Sequence, residues 1–437
     1  MQVKSIHSVA LTVVAFAATS LFGVVGCREK PAPADADFSA AAVPDQKGGQ
    51  DIFGAYDVVA NWPKPLSDLP DHQKWTYSAV ESIYAESPNR VFILQLGELP
   101  NMPRPQTTLL RDLGPNILFP TGRLPWRDAT FATLPGGGAS GALPEDAAKQ
   151  WRGEKPPYRE AGVDARWEHC LLVVDADGNI IEQWTQWDKI FKRPHFIAIN
   201  PYDPEKAVWV LDDHAHALYK FSHDGMRLLQ TIGTPTVAGA DGTHFNRPTF
   251  LAWLQDSTMF VADGYNGTRV AKFDKDGKFV KDWGQRGTPP NEKRPGYFNN
   301  VHGIAVDPET RRVFVNDRGN HRIQVFDENG AYLYEWYVGD APSDIHLLYM
   351  SADRHVWAVD RGTSKVIKYA QDGRFLYAWG VWGDFPGGMW GVHGFSVDQE
   401  GNVYIAEVDN GRVQKYRPRQ GANRNFLVGI PVYAAWK

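Results

Sequence analysis

Three histidines stand at the head of similar apolar runs: Pro194-His195-Phe196-Ile197, Val301-His302-Gly303-Ile304 and Val392-His393-Gly394-Phe395. A lone histidine usually packs or bonds a backbone carbonyl. Three in matching contexts form a ligand set if the fold brings them together. Three imidazoles with an open fourth position are a common way to hold catalytic zinc. Imidazole also takes copper, iron or nickel, so zinc is expected first among several divalent metals.

The elements that must position these residues repeat along the chain. The clearest copy runs from Val301 to Asp307, from Arg312 to Asp327 and from Gly330 to Trp336, with turn residues between its apolar runs. That pattern suits four β-strands joined by tight hairpins. Similar units open at Tyr77, His195, Thr249, Asp344 and His393. A period of roughly 40–55 residues with four strands per unit is the signature of a β-propeller. The chain is therefore expected to be all-β, a six-bladed propeller over 51–437, with Asn425–Trp436 supplying the last strand of the sixth blade. A long stretch at 100–167, rich in Pro, Gly and Arg, interrupts blade one as an insertion.

In a propeller the first strand of each blade lines the axial channel. Histidines opening blades two, four and six would converge at about 120° to one another around that axis. Strands alternate in direction, so the ends of the second strands reach the same mouth. They bring Asp213, Tyr265, Arg318 and Arg361, with His214 and His216 on the blade-two rim. Arg361 and His214 are candidate substrate contacts. His346 lies near the histidine position of blade five but reads one residue out of register, as a channel or packing residue. Arg269, Arg322 and Arg412 recur at a later repeat position and read as structural. Asp263, Asp317 and Asp360 suit bonds to turn amides.

The Val-Phe-Val-x-Asp, Asn-x-x-Arg-Ile-x-x-Phe-Asp and Trp-Gly elements resemble NHL repeats. Blades three and four further resemble the catalytic propeller of peptidyl-α-hydroxyglycine α-amidating lyase. The phrases are His244-Phe245-Asn246-Arg247-Pro248-Thr249, Asp263-Gly264-Tyr265-Asn266-Gly267-Thr268-Arg269, Gly277-Lys278-Phe279-Val280 and Arg294-Pro295-Gly296-Tyr297-Phe298. The resemblance implies zinc on His195, His302 and His393, Tyr265 as general base and Arg318 as an active-site arginine. A phenol beside a cation gives up its proton more readily. A fixed guanidinium can hold a carboxylate through two parallel hydrogen bonds. The chain departs from the family pattern twice. Leu96 stands where blade one would carry a further arginine, a role that Arg104 or Arg123 of the insertion could take. Gly394 stands where an acidic residue would hold calcium, so calcium is not expected.

Lys4 and the apolar run Val9–Val25 read as a signal peptide over 1–26, ending in Val24-Val25-Gly26-Cys27. This resembles the lipobox of bacterial lipoproteins and implies lipidation of Cys27, with stable anchoring by more than one acyl chain. Arg28 after Cys27, by resemblance to Gram-negative lipoproteins, favours the outer membrane or a periplasm-facing position. Residues 27–50 read as a flexible tether. Cys170 has no partner once Cys27 is lipidated, so no internal disulfide is expected. A net charge of -5 with no basic cluster argues against nucleic acid. The expected function is a monomeric, metal-dependent lyase acting on a small-molecule or peptide substrate. The alternative is a non-catalytic NHL scaffold that binds a protein at the cell surface.

Overall fold

The computed structural model describes residues 52–101, 166–289 and 292–432. The signal peptide, Cys27, the tether, Arg104, Arg123 and most of the insertion lie outside the described residues. Within these, six four-stranded antiparallel sheets form the blades. Blade one is Val80–Ser87, Arg90–Gln95, Leu171–Val174 and Ile180–Gln183, so the insertion leaves after its second strand and returns before its third. Blades two to five follow in simple meander order, with inner strands Pro194–Ile199, Phe250–Trp253, Val301–Val306 and Ile345–Met350. Blade six has inner strands Val392–Val397 and Val403–Glu407, then Arg412–Pro418.

Its fourth strand corrects the sequence reading. Tyr56–Val58, from the N-terminal side, pairs with Arg412–Pro418 in the register Tyr56↔Pro418 and Val58↔Tyr416. Asn425 instead lies in a short 3-10 turn, Arg424–Phe426. The ring is thus closed by the two ends of the described chain.

The inner strands are mostly buried, throughout in Val301–Val306 and Val392–Val397, because neighbouring blades cover their faces. Outer strands are more exposed in places, as in Phe279–Trp283, while Phe375–Trp379 of blade five is largely buried. The Trp that ends each repeat has a physical role. Trp283 of blade three packs on Gly330 in the last hairpin of blade four, where a Cβ would lie 2.7 Å from the indole and φ is +85°. Only glycine meets both demands. The recurring arginines bind loops to strands. Arg322, 4% exposed, donates to Asp317 and Glu335 and to the carbonyls of Arg294 and Tyr297. Asp263, Asp317 and Asp360 accept the backbone N–H of Asn246, Asn299 and Asp344, which fixes the loop ahead of each inner strand.

Candidate metal centre

The second position of the inner strand is where the site is built. In blades two, four and six it carries His195, His302 and His393, all buried. In blades one and five it carries Glu81 and His346, and in blade three the matching register falls on Thr249. His346 is therefore in register, contrary to the sequence reading. The same bulge occurs in blade five, between Ile345 and Leu348, as in blade four, between Val301 and Ile304. A bulge adds a residue to one strand and cannot be read from residue alternation.

Each histidine donates its Nδ1–H to the backbone carbonyl at this same position in the next blade. His195 bonds Thr249 O at 2.9 Å, His302 bonds His346 O at 3.0 Å and His393 bonds Glu81 O at 2.5 Å. A carbonyl only accepts, so the proton sits on Nδ1 and every Nε2 presents a lone pair. The candidate ligand atoms of the three rings lie within 4.8 Å of one another. Burial pushes His195 down to about 3, and drives His302 and His393 well below the ordinary histidine range. The rings are neutral, the form that ligates a metal.

Hydrogen bonding within the chain does not satisfy these lone pairs. Tyr265 Oη is 3.0 Å from His195 Nε2 and 3.1 Å from His302 Nε2, but its single proton can serve only one. His393 Nε2 is buried without a hydrogen bond, as is Glu81 Oε2, 3.5 Å away. A buried acceptor left unpaired is costly. A divalent cation among the three Nε2 atoms would satisfy them, so the donor set fits a metal.

Tyr265 reaches the rings because its loop runs against blade four. A Cβ on Gly264 would fall 1.3 Å from Val301 O, so only glycine allows the approach. Tyr265 itself has φ of +50°. The Arg247 and Arg193 guanidinium carbons lie 4.5 and 5.4 Å from its ring centre. Both arginines bind Asp213, and together they outweigh its burial and hold it well below the carboxylate range. Arg318 forms a two-bond pair with Asp344, and Arg361 pairs with Asp409. His214 lies 4.0 Å from Asp213, and burial lowers it to about 4. His216 Nδ1 accepts from the Arg247 backbone N–H.

Two residues at this mouth escaped the sequence reading. Arg193 donates to Glu81 Oε1 at 3.1 Å. Glu81 is 1% exposed, and burial raises its carboxyl to about 7 against the opposing pull of Arg193. The signal available was the repeat register itself, which assigns Glu81 to the histidine position. Leu96 is buried in an apolar cluster with Ala79, Leu99 and Val408.

The NHL repeat model matches residues 298–326 and 389–416. A peptidylglycine alpha-amidating monooxygenase of Rattus norvegicus is 34% identical over 172 residues, 39% of this chain and 17% of that protein. The chain is 25% identical over 251 residues to a Caenorhabditis elegans protein named "Probable peptidyl-alpha-hydroxyglycine alpha-amidating lyase pgal-1", covering 56% of this chain and 69% of that one. Peptidyl-alpha-hydroxyglycine alpha-amidating lyase 1 of Drosophila melanogaster is 30% identical over 42% of this chain and 33% of its own length. The chain thus carries NHL repeats on a six-bladed propeller, and has homologues named as amidating lyases.

Proposed function

We propose that the chain is a metal-dependent lyase that cleaves a peptidyl-α-hydroxyglycine or a related carbinolamide. The observation that supports it most is the convergence of three neutral Nε2 lone pairs beside the Tyr265 hydroxyl. His195, His302 and His393 would hold the metal, with zinc the first choice for this donor set. Such an ion acts as a Lewis acid toward substrate oxygens. The remaining work falls to side chains. Tyr265 takes the proton of the substrate hydroxyl. The C–N bond breaks, nitrogen leaves with the electron pair and gains a proton, and the products are an amide and glyoxylate. Arg318 holds the substrate carboxylate, sharing its guanidinium with Asp344. Arg361 and His214 line the approach. Arg193 brings to this mouth the extra cationic group that Leu96 does not supply.

The proposal extends to location: Cys27 carries the lipid, and the propeller stands as a monomer at the cell envelope. Incorporation of labelled fatty acid into the wild type, and not into Cys27→Ala, tests that part.

The decisive experiment measures metal content of the purified chain and glyoxylate release from an α-hydroxyglycine peptide. One equivalent of metal at this site, with both metal and release lost in His302→Ala, is expected. Metal without glyoxylate release rejects the substrate class and leaves the site standing. A metal-free protein unchanged by His302→Ala rejects the enzyme and favours the NHL binding scaffold.

A further inference from the structure

A second group of metal-type side chains sits away from the channel histidines, where the blade-one insertion leaves and rejoins the fold. It comprises His72, Glu98, Glu168 and His169, whose candidate ligand atoms lie within 4.8 Å of one another. Three separate stretches supply them. His72 precedes the short strand Trp75–Tyr77, which pairs with Glu98–Pro100 so that Tyr77 lies opposite Glu98. Glu98 is tied to Arg166 by two backbone bonds, 2.7 and 3.0 Å long, which bring Glu168 and His169 alongside.

The polar contacts describe a prepared but unsatisfied site. Glu98 is fully buried, and its Oε2 makes no hydrogen bond. Its nearest cation is Arg166 Nη1 at 3.8 Å, while Arg166 Nη2 bonds Glu168. Glu98 Oε1 lies 2.7 Å from His169 Nδ1. His72 Nδ1 lies 2.7 Å from Pro70 O and donates to it, so Nε2 is the ring atom turned inward. That Nε2 makes no hydrogen bond, and it sits 3.5 Å from Glu98 Oε1 and 3.7 Å from Glu168 Oε2. In the tautomer with its proton on Nδ1, that Nε2 is a lone pair facing two carboxylate oxygens, an arrangement that a cation between them relieves. The outward nitrogens are already committed: His72 Nδ1 to Pro70 O, and His169 Nε2 to Gln183 Oε1 at 2.8 Å. Metal-binding histidines regularly hold their other ring nitrogen in this way.

We propose that His72, Glu98, Glu168 and His169 form a second divalent-cation site that clamps the root of the insertion. Two imidazole nitrogens and two carboxylate oxygens suit zinc or a neighbouring divalent transition ion. Four protein ligands fill a tetrahedral shell, so the role is structural and not catalytic. Binding fixes the ends of a long chain excursion, and releases the His169 proton now shared with Glu98.

The test uses the purified full chain, stripped with chelator and titrated with Co²⁺. The wild type is expected to bind two equivalents, and His72→Ala one. The variant His195→Ala/His302→Ala/His393→Ala is expected to keep one equivalent, and adding Glu98→Gln should weaken it at least tenfold. Far-UV circular dichroism confirms folding of each variant, and a Co²⁺-dependent rise in melting temperature of the triple variant is a second readout. A wild type that binds a single equivalent, lost in His302→Ala and kept in His72→Ala, overturns the proposal. So does a folded triple variant that binds no Co²⁺.

Discussion

Glu81 and Tyr265 face different rings of the histidine group and have separable effects. The Tyr265 hydroxyl lies within hydrogen-bond reach of two rings, whereas Glu81 places an unpaired oxygen beside the third. Tyr265→Phe should keep the metal and lower glyoxylate release by roughly 10²–10⁴-fold, the usual loss with a general base. Glu81→Gln removes the only carboxylate within 4 Å of His393 Nε2 among the described residues. Metal affinity should fall about 10- to 100-fold by chelator competition, as for partners that support metal ligands. Unchanged affinity would make Glu81 only a counterion for Arg193. The histidines were legible in the sequence because three copies share their flanking residues. Glu81 and His346 were not, since Val80-Glu81-Ser82 shares only its leading Val with two of those copies and the bulge that aligns His346 has no sequence mark. Arg193 precedes its strand and reaches the mouth only through its side chain.

The blades are held by polar side chains as much as by apolar ones. The Asp317 carboxylate accepts from Arg322, Asn320, Gln324 and the Asn299 amide, all within one blade. Arg322→Ala leaves that buried carboxylate short of its cation and should destabilise by roughly 3–5 kcal/mol in urea unfolding. Lys365 in blade five is a contrary case. Its Nζ donates to Gly380 O, and burial pushes it down from 10.5 to about 8 against the pull of Asp360. Between those values the unfolded chain holds more protons than the folded one, so stability should rise with pH from 8 to 10.5. The rise is on the order of 1–3 kcal/mol and should be absent in Lys365→Met, measured by unfolding at each pH. At this scale the sequence was most informative. Turns such as Asp327-Glu328-Asn329-Gly330, where Asp327 accepts from the Asn329 and Ala331 amides, mark every outer hairpin they close. The closing strand was missed because Tyr56–Val58 has only three residues and no repeat around it.

The two ends of the described chain pair in blade six, the blade whose inner strand carries His393. Tyr56 is fully buried, its ring centre 5.3 Å from that of Trp379 in blade five with the planes tilted by 36°, and it accepts the Val428 amide through its hydroxyl. It holds the outer strand of blade six against blade five, while His393 bonds Glu81 O from blade six to blade one. Loosening blade six should displace His393 from the other two ligands, so closure and metal binding are linked. Tyr56→Ala should cost about 3–5 kcal/mol, the range for truncating a large buried aromatic. Because a metal that binds only the closed ring stabilises it, zinc at a hundredfold excess over its Kd should restore about 2.7 kcal/mol. Urea unfolding of Tyr56→Ala with and without zinc measures both quantities. Adding His302→Ala should abolish the part of the recovery that comes from the channel site and leave the Tyr56 cost in place. If zinc stabilises Tyr56→Ala equally with or without His302, ring closure is independent of the channel histidines.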